Sequence, residues 1–314
     1  MVQLPVEVRS PGDADATLIA NGKAAAERKR RETIEAYLWL TPALAVVSFV
    51  FLYPIFEIFH YSTLDMRVEP TFVGLTNYQQ LFTDPLFWQA IRDNLLLLLC
   101  IPVLVGFSLL VSSVLYDRVL GWQVYRTIVF LPYMMAIVVV GVAFGYMLQL
   151  EGALNTVLEA VGLGFLAQDW LGSTRMALFS IGGVIVWREL GFGTMLFLAR
   201  LMSVSEDLYD AAKVDGASWW ERLYYVTVPQ LRNVIFLYVT LLLITLFSSL
   251  FNYIYVMTEA GPAFSTIVSE FYIYLHAFKY RSMGTASAFS VILFAAALVI
   301  MVIQYVLRER AARE

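Results

Sequence analysis

Asp210–Pro229, DAAKVDGASWWERLYYVTVP, is a mostly polar, glycine-broken stretch set between two long apolar runs. Everything around it reads as membrane. Of 314 residues, 60% are hydrophobic and 15% charged, with a mean hydropathy of +0.71; soluble chains average roughly 45–50% apolar and about 25% charged. A hydrophilic element that keeps a helical pattern at a membrane exit is placed to touch a partner. Ala211 and Ala212 are strong helix formers without bulk, so a helix through Asp210–Lys213 can approach a neighbouring subunit closely. Gly216 suits a positive φ and ends that helix. A second helix is predicted from near Ser218, with Trp220, Leu223, Tyr224 and Thr227 on one face at the inner-leaflet interface. Pro229 lacks an amide donor and is read as a break before the next apolar run.

Six runs reach the roughly 20 apolar residues that a bilayer core requires. They are approximately Ala36 to Ser62, Asn94 to Leu115, Ile128 to Leu148, Met176 to Leu201, Asn233 to Met257 and Gly284 to Leu307, with Pro54, Pro102 and Pro132 within or at the ends of spans. The basic, polar residues 1–35 read as a disordered cytoplasmic tail rather than a signal peptide, and 308–314 as a second short tail. With the N-terminus inside, the cytoplasmic segments hold 15 Lys and Arg and the outer loops four, a decisive asymmetry under the positive-inside rule. The expected fold is therefore an all-α membrane protein of six transmembrane helices over 36–307. Both termini and the 203–232 loop face the cytoplasm.

The chain has no GxxxxGK[ST] phosphate loop and no His/Cys cluster at ligand spacing, so it is not expected to hydrolyse ATP, bind a metal or act as an enzyme. Its single cysteine, Cys100, lies in an apolar run and forms no internal disulfide. Outside the membrane, Phe72–Ala90 mixes aromatics with Gly, Asn and Pro, and Gly152–Val161 is predicted as a short amphipathic helix. Both suit packing on the outer bilayer surface or contact with an external delivery protein.

Read from Asp210, the pattern is Asp-Ala-Ala, three residues, Gly216, nine residues, then Val226-Thr227-Val228-Pro229. It resembles the loop by which permease subunits of bacterial ABC importers dock onto their ATPases. The family form is Glu-Ala-Ala, Gly and Ile-x-Leu-Pro; the substitutions here keep charge sign or apolar character. The resemblance extends over nearly all the chain from Ala36 and is to the first permease of the carbohydrate-uptake branch. It is carried by Tyr53-Pro54, Phe72 to Tyr78, Gly152 with Asn155, Trp170-Leu171 with Ala177, and Thr258-Glu259-Ala260-Gly261-Pro262 followed by Thr266, Tyr274, Ala277-Phe278, Gly284 and Ala286 to Ala288. The family usually has Thr-Gly-Gly-Gly-Pro where Glu259 and Ala260 stand.

The resemblance implies a type I importer in a bacterial cytoplasmic (inner) membrane. Its parts are a second homologous permease forming a heterodimer, two ATPase subunits and an extracytoplasmic solute-binding protein. ATP-Mg would be held by the ATPases, no cofactor by this chain, and no nucleic acid is involved. Asp210, Ala211, Ala212, Asp215, Gly216 and Pro229 become the ATPase-coupling residues. The expected cargo is a sugar: an oligosaccharide, glycoside or polyol phosphate.

Arg188 and Glu189 fall near the centre of the fourth span, where each charge costs about 2.5–3.5 kcal/mol. Adjacent residues do not face each other on a helix, so each is expected to need a partner on another helix or a wet cavity. Either they line the solute pathway, with Trp187 offering a stacking face, or they form a structural ion pair to a neighbouring helix or permease. Asn252, Tyr253 and Tyr255 carry amide and phenol groups suited to sugar, or to helix–helix hydrogen bonding. Gly284, Ser287, Ala288 and Ala295 supply small residues for close helix contact. The alternatives are a permease for a non-sugar solute, a secondary transporter, in which repeats would be expected, and a membrane scaffold that leaves the Asp210 pattern unexplained.

Overall fold

The computed structural model describes residues 11–313, with side chains from 28 to 310. The chain divides into a unit ending at Ile58 and a larger unit beginning at Phe59. The first unit is helical: α1 (Pro11–Val47), a π turn (Ser48–Leu52) and the start of α2 (Tyr53–Tyr61). Residues 11–35 are thus helix, where the sequence reading expects disorder; residues 1–10 lie outside the described residues. Alanines at 24–26 favour helix, and the pairs Arg28–Glu32 (2.9 Å) and Arg31–Glu35 (3.0 Å) span one turn each.

In the larger unit, β1 (Leu64–Asp65) and β2 (Thr71–Phe72) form a minimal antiparallel hairpin. Then come α3 (Thr76–Thr83), α4 (Pro85–Leu98) and α5 (Cys100–Tyr116), the last two forming one apolar span. Next are α6 (Trp122–Met134), α7 (Ile137–Met147), α8 (Ala153–Ala160) and α9 (Ala177–Leu201). The chain closes with α10 (Glu206–Val214), α11 (Trp219–Arg222), α12 (Val228–Met257), α13 (Ser269–Tyr274) and α14 (Met283–Arg313). Among the described residues five helices are long and apolar enough to cross a membrane, or six if α6 and α7 count as one span. The run Ile128–Leu148 is not a straight helix: α6 and α7 meet at 97° across Met135 and Ala136.

At the centre of the bundle α9 packs against α5, α6 and α12. Its glycines permit this. A Cβ at Gly191 would lie 2.4 Å from the Val129 carbonyl oxygen and 3.0 Å from the Phe130 Cα. Both are backbone atoms of α6 and cannot swing aside. Gly191→Ala is expected to push α6 away from α9 at a cost of about 1–3 kcal/mol, read as a lower melting temperature in detergent. Gly183→Ala, where nothing lies within 4 Å, is expected to be neutral or stabilising.

In α14, Gly284, Ser287 and Ala288 are buried, whereas Ala295 is exposed, so the small-residue contact occupies the first turns only. The link between α12 and α13 is unusual. Glu259 and Ala260 adopt φ of +48° and +67°, and Ala263 and Phe264 are also left-handed. The backbone takes the glycine-type conformation at the two positions where this chain carries side chains, and Ala260 is fully buried.

Candidate functional site

The Asp210 stretch folds as an elbow. Ser205 caps α10 by accepting from the Asp207 amide (3.3 Å), and Glu206 and Asp207 fill the positive first turn. Asp210 pairs with Lys213 at 2.9 Å along the exposed side. At the far end Gly216 takes φ +80°, and the Ala217 amide returns to the Ala212 carbonyl (2.9 Å). This is the left-handed helix stop that glycine accommodates best. Ser218 and Glu221 then form a reciprocal capping box that starts α11. Asp210, Ala211, Asp215, Gly216 and Pro229 are exposed and Ala212 is half-buried, leaving the elbow's outer side open.

Pro229 does not break the helix. Helical structure is continuous from Trp219 to Met257 because Leu223–Thr227 forms a π turn, closed by the Val228 amide on the Leu223 carbonyl. The widened turn makes room for a residue without an amide donor. Pro54 follows the π turn Ser48–Leu52 in the same way. The extra residue per turn also splits the expected interfacial face: Trp220 and Tyr224 are exposed, while Thr227 is buried.

Tyr209 is the one buried residue of α10. Its ring lies 5.1 Å from Tyr116 at the end of α5, and its hydroxyl is 3.0 Å from the Thr227 Oγ1. Burial pushes this phenol's pKa up. The Trp219 Nε1 donates to the Asp117 Oδ2 at 3.0 Å. A cleft of about 300 Å³ opens between the turn after α5 and α10, lined by Asp117, Arg118, Glu206, Asp210 and Lys213. The sequence reading passed over Tyr116, Asp117 and Tyr209; the tyrosine beside Asp210 was the available signal.

The second polar feature is internal. Arg188 and Glu189 are directly ion-paired and almost wholly buried. The expectation that neighbours on a helix cannot neutralise each other is corrected: the long guanidinium stem wraps back to the next carboxylate. The rest of the guanidinium is used on α6. Nε and Nη2 donate to the Met135 carbonyl (3.2 and 3.1 Å), Nη2 also to that of Tyr133 (3.3 Å), and the group lies 5.2 Å from the Tyr133 ring centroid. These carbonyls are the ones left bare where α6 stops. Arg188 is therefore the cap of the bent span.

The Tyr238 hydroxyl donates to the Glu189 carbonyl at 3.1 Å. Tyr253 is buried within electrostatic reach of the pair, its hydroxyl unbonded among the described residues. The structure thus gathers Arg188, Glu189 and Tyr253. It does not bring the other candidates to them. Trp187 packs edge-on against Phe144 (5.0 Å), and Tyr255 stacks on Phe251 (5.3 Å) in an aromatic group with Phe271 and Tyr274. Asn252 is half-buried.

Residues 94–313 match a family described as the binding-protein-dependent transport system inner membrane component. This chain belongs to that family. The matched region holds both the elbow and the buried pair. The permease is 34% identical over 277 residues, 85% of its length and 94% of the relative's, to the probable ABC transporter permease YurN of Bacillus subtilis (strain 168). It is 32% identical over 290 residues to the lactose transport permease LacF of Rhizobium radiobacter, covering 90% and 97% of the two chains. The trehalose/maltose permease MalF of Thermococcus litoralis is also 32% identical, over 277 residues, with 85% and 90% covered. Among solved structures, a chain of a bacterial ABC transporter that imports the acidic polysaccharide alginate superposes with a TM-score of 0.78 at 22% identity, covering 92% of this chain and 99% of that one. The permease shares that fold.

Proposed function

We propose that the permease is the membrane subunit of an ATP-driven importer for a sugar, with α10 as the element gripped by an ATPase. The single observation that carries this reading is the α10–α11 elbow. It is a short, capped, largely exposed helix with small residues at 211 and 212, rooted at the base of the continuous α12 helix. In this reading the chain crosses the membrane six times, the bent α6–α7 pair serving as the third crossing, and the Lys and Arg distribution supports a cytoplasmic side for both termini and the elbow.

Asp210, Ala211, Ala212, Asp215 and Gly216 form the contact, and Pro229 marks where it passes into α12. A second permease completes a heterodimer, two ATPases hold ATP-Mg, and a solute-binding protein delivers cargo from outside. This chain contributes no cofactor. The relatives' printed cargoes, lactose and trehalose/maltose, favour an oligosaccharide or glycoside. Tyr253 and the Arg188–Glu189 pair lie nearest the solute route.

A crosslinker placed at A212C in the assembled transporter is expected to capture the ATPase, and uptake is expected to stop with a non-hydrolysable nucleotide. An elbow that never yields a crosslink, in a transporter whose uptake persists without hydrolysis, would indicate a secondary transporter instead.

A further inference from the structure

The elbow is joined covalently to α9 and α12 only, yet its side chains also reach the end of a third helix, α5. We infer that Tyr209 is a positioning residue that pins the elbow to α5 and to the base of α12 at once, so that displacement of α10 is delivered to both. This rests on the reading of α10 as the ATPase contact.

Three observations carry it. Tyr209 is 8% exposed on a helix whose other residues face outward or are only half-buried. Its two ends serve different elements: the ring meets Tyr116 at 5.1 Å, and the hydroxyl meets Thr227, 3% exposed, at 3.0 Å. A second link runs in parallel from the other arm of the elbow, Trp219 to Asp117 at 3.0 Å. Tyr116 and Tyr209 border the cleft of about 300 Å³ on one side, and on the side toward Trp219 and Thr227 the space is nearly filled. A gap of about 20 Å³ remains among Ser113, Tyr116, Leu201, Tyr209 and Thr227, room for a single water at most.

Close-packed contacts without slack transmit displacement, whereas a loose contact absorbs it. A tyrosine suits the task because a rigid ring ends in a hydroxyl that fixes its orientation through a buried hydrogen bond. Thr227 lies in the π turn, so the bond anchors α10 to the one irregular turn between the elbow and the long helix.

The test uses the whole transporter in proteoliposomes with its binding protein and substrate, and reads ATP hydrolysed per solute imported. Tyr209→Leu removes both contacts and is expected to raise that ratio about fivefold. Tyr209→Phe keeps the ring and loses the hydroxyl, and is expected to raise it about twofold. Thr227→Val should match Y209F, and the double variant should be no worse than either alone, because all three delete one bond. Complex recovered per membrane is measured beside every ratio.

An unchanged ratio in Y209L, or uptake and hydrolysis falling together with the amount of complex, overturns the inference. The A212C crosslink in the parent transporter separates the two readings. Capture of the ATPase with an unchanged Y209L ratio removes the pin and leaves the docking contact standing. No capture in the parent removes both.

Discussion

Arg188→Leu is expected to cost about 3–5 kcal/mol, because it leaves the Glu189 carboxylate buried without its partner. The same change strips the Met135 and Tyr133 carbonyls of their donors at the bend between α6 and α7. Helix-end carbonyls at such a break need an internal partner. The measurable outcome is loss of full-length protein from the membrane, or a collapsed melting transition in detergent.

The double variant R188L/E189L separates the two effects. It removes both charges together, so the charge penalty disappears, while the bare carbonyls retain a penalty of about 1–3 kcal/mol each. Partial recovery is therefore expected. Arg188→Lys should also fall in between, since an ammonium can neutralise Glu189 but has no planar fork to span two carbonyls as well. Full recovery in the double variant would mean that the carbonyl contacts are dispensable. If the double variant assembles and transports at the parent's rate, the pair has no part in the solute route.

The second large effect is expected at Asn155. Its side chain donates to the Leu150 carbonyl (2.9 Å) and the Gln168 carbonyl (2.8 Å), and accepts from the Trp170 Nε1 (2.8 Å) and the Gln168 amide (3.4 Å). One buried amide thus holds the segment between α7 and α9 closed on itself. Asn155→Ala should cost on the order of 3 kcal/mol, the sum of donors and acceptors left in a poorly solvated place. Limited proteolysis should then cut within residues 148–176 in the variant and not in the parent. Asn155→Asp keeps the acceptor for Trp170 but loses both donated bonds, and is expected to be cut at an intermediate rate. Equal resistance in all three would show that the segment is held by its apolar contacts alone.

Which features were legible follows from how far apart their determinants lie. The elbow could be read because its turn chemistry is local: Gly216 stops one helix, and Ser218 with Glu221 three residues on starts the next. The apolar runs were equally local, and five of them appear as single long helical segments. The bend at Met135 was not legible in the same way. The run around it is uniformly apolar, Pro132 sits inside α6 rather than at the corner, and the group that stabilises the corner is 53 residues away. Pro229, read as a break, misled for a related reason, since a preceding π turn absorbs it, as another absorbs Pro54, and periodicity gives no sign of it. The roles of Asn77 and Asn155 were hidden in another sense. They matched the family pattern, but that they stitch loops through backbone carbonyls emerges only in three dimensions.

The corner between α6 and α7 also depends on a residue that is synthesised later. A chain made only as far as α7 has the Tyr133 and Met135 carbonyls but not yet the guanidinium that donates to them, 55 and 53 residues further on. Lateral release into lipid at that stage is disfavoured. The corner is therefore expected to settle only after Arg188 has been made and α9 can pack against α6.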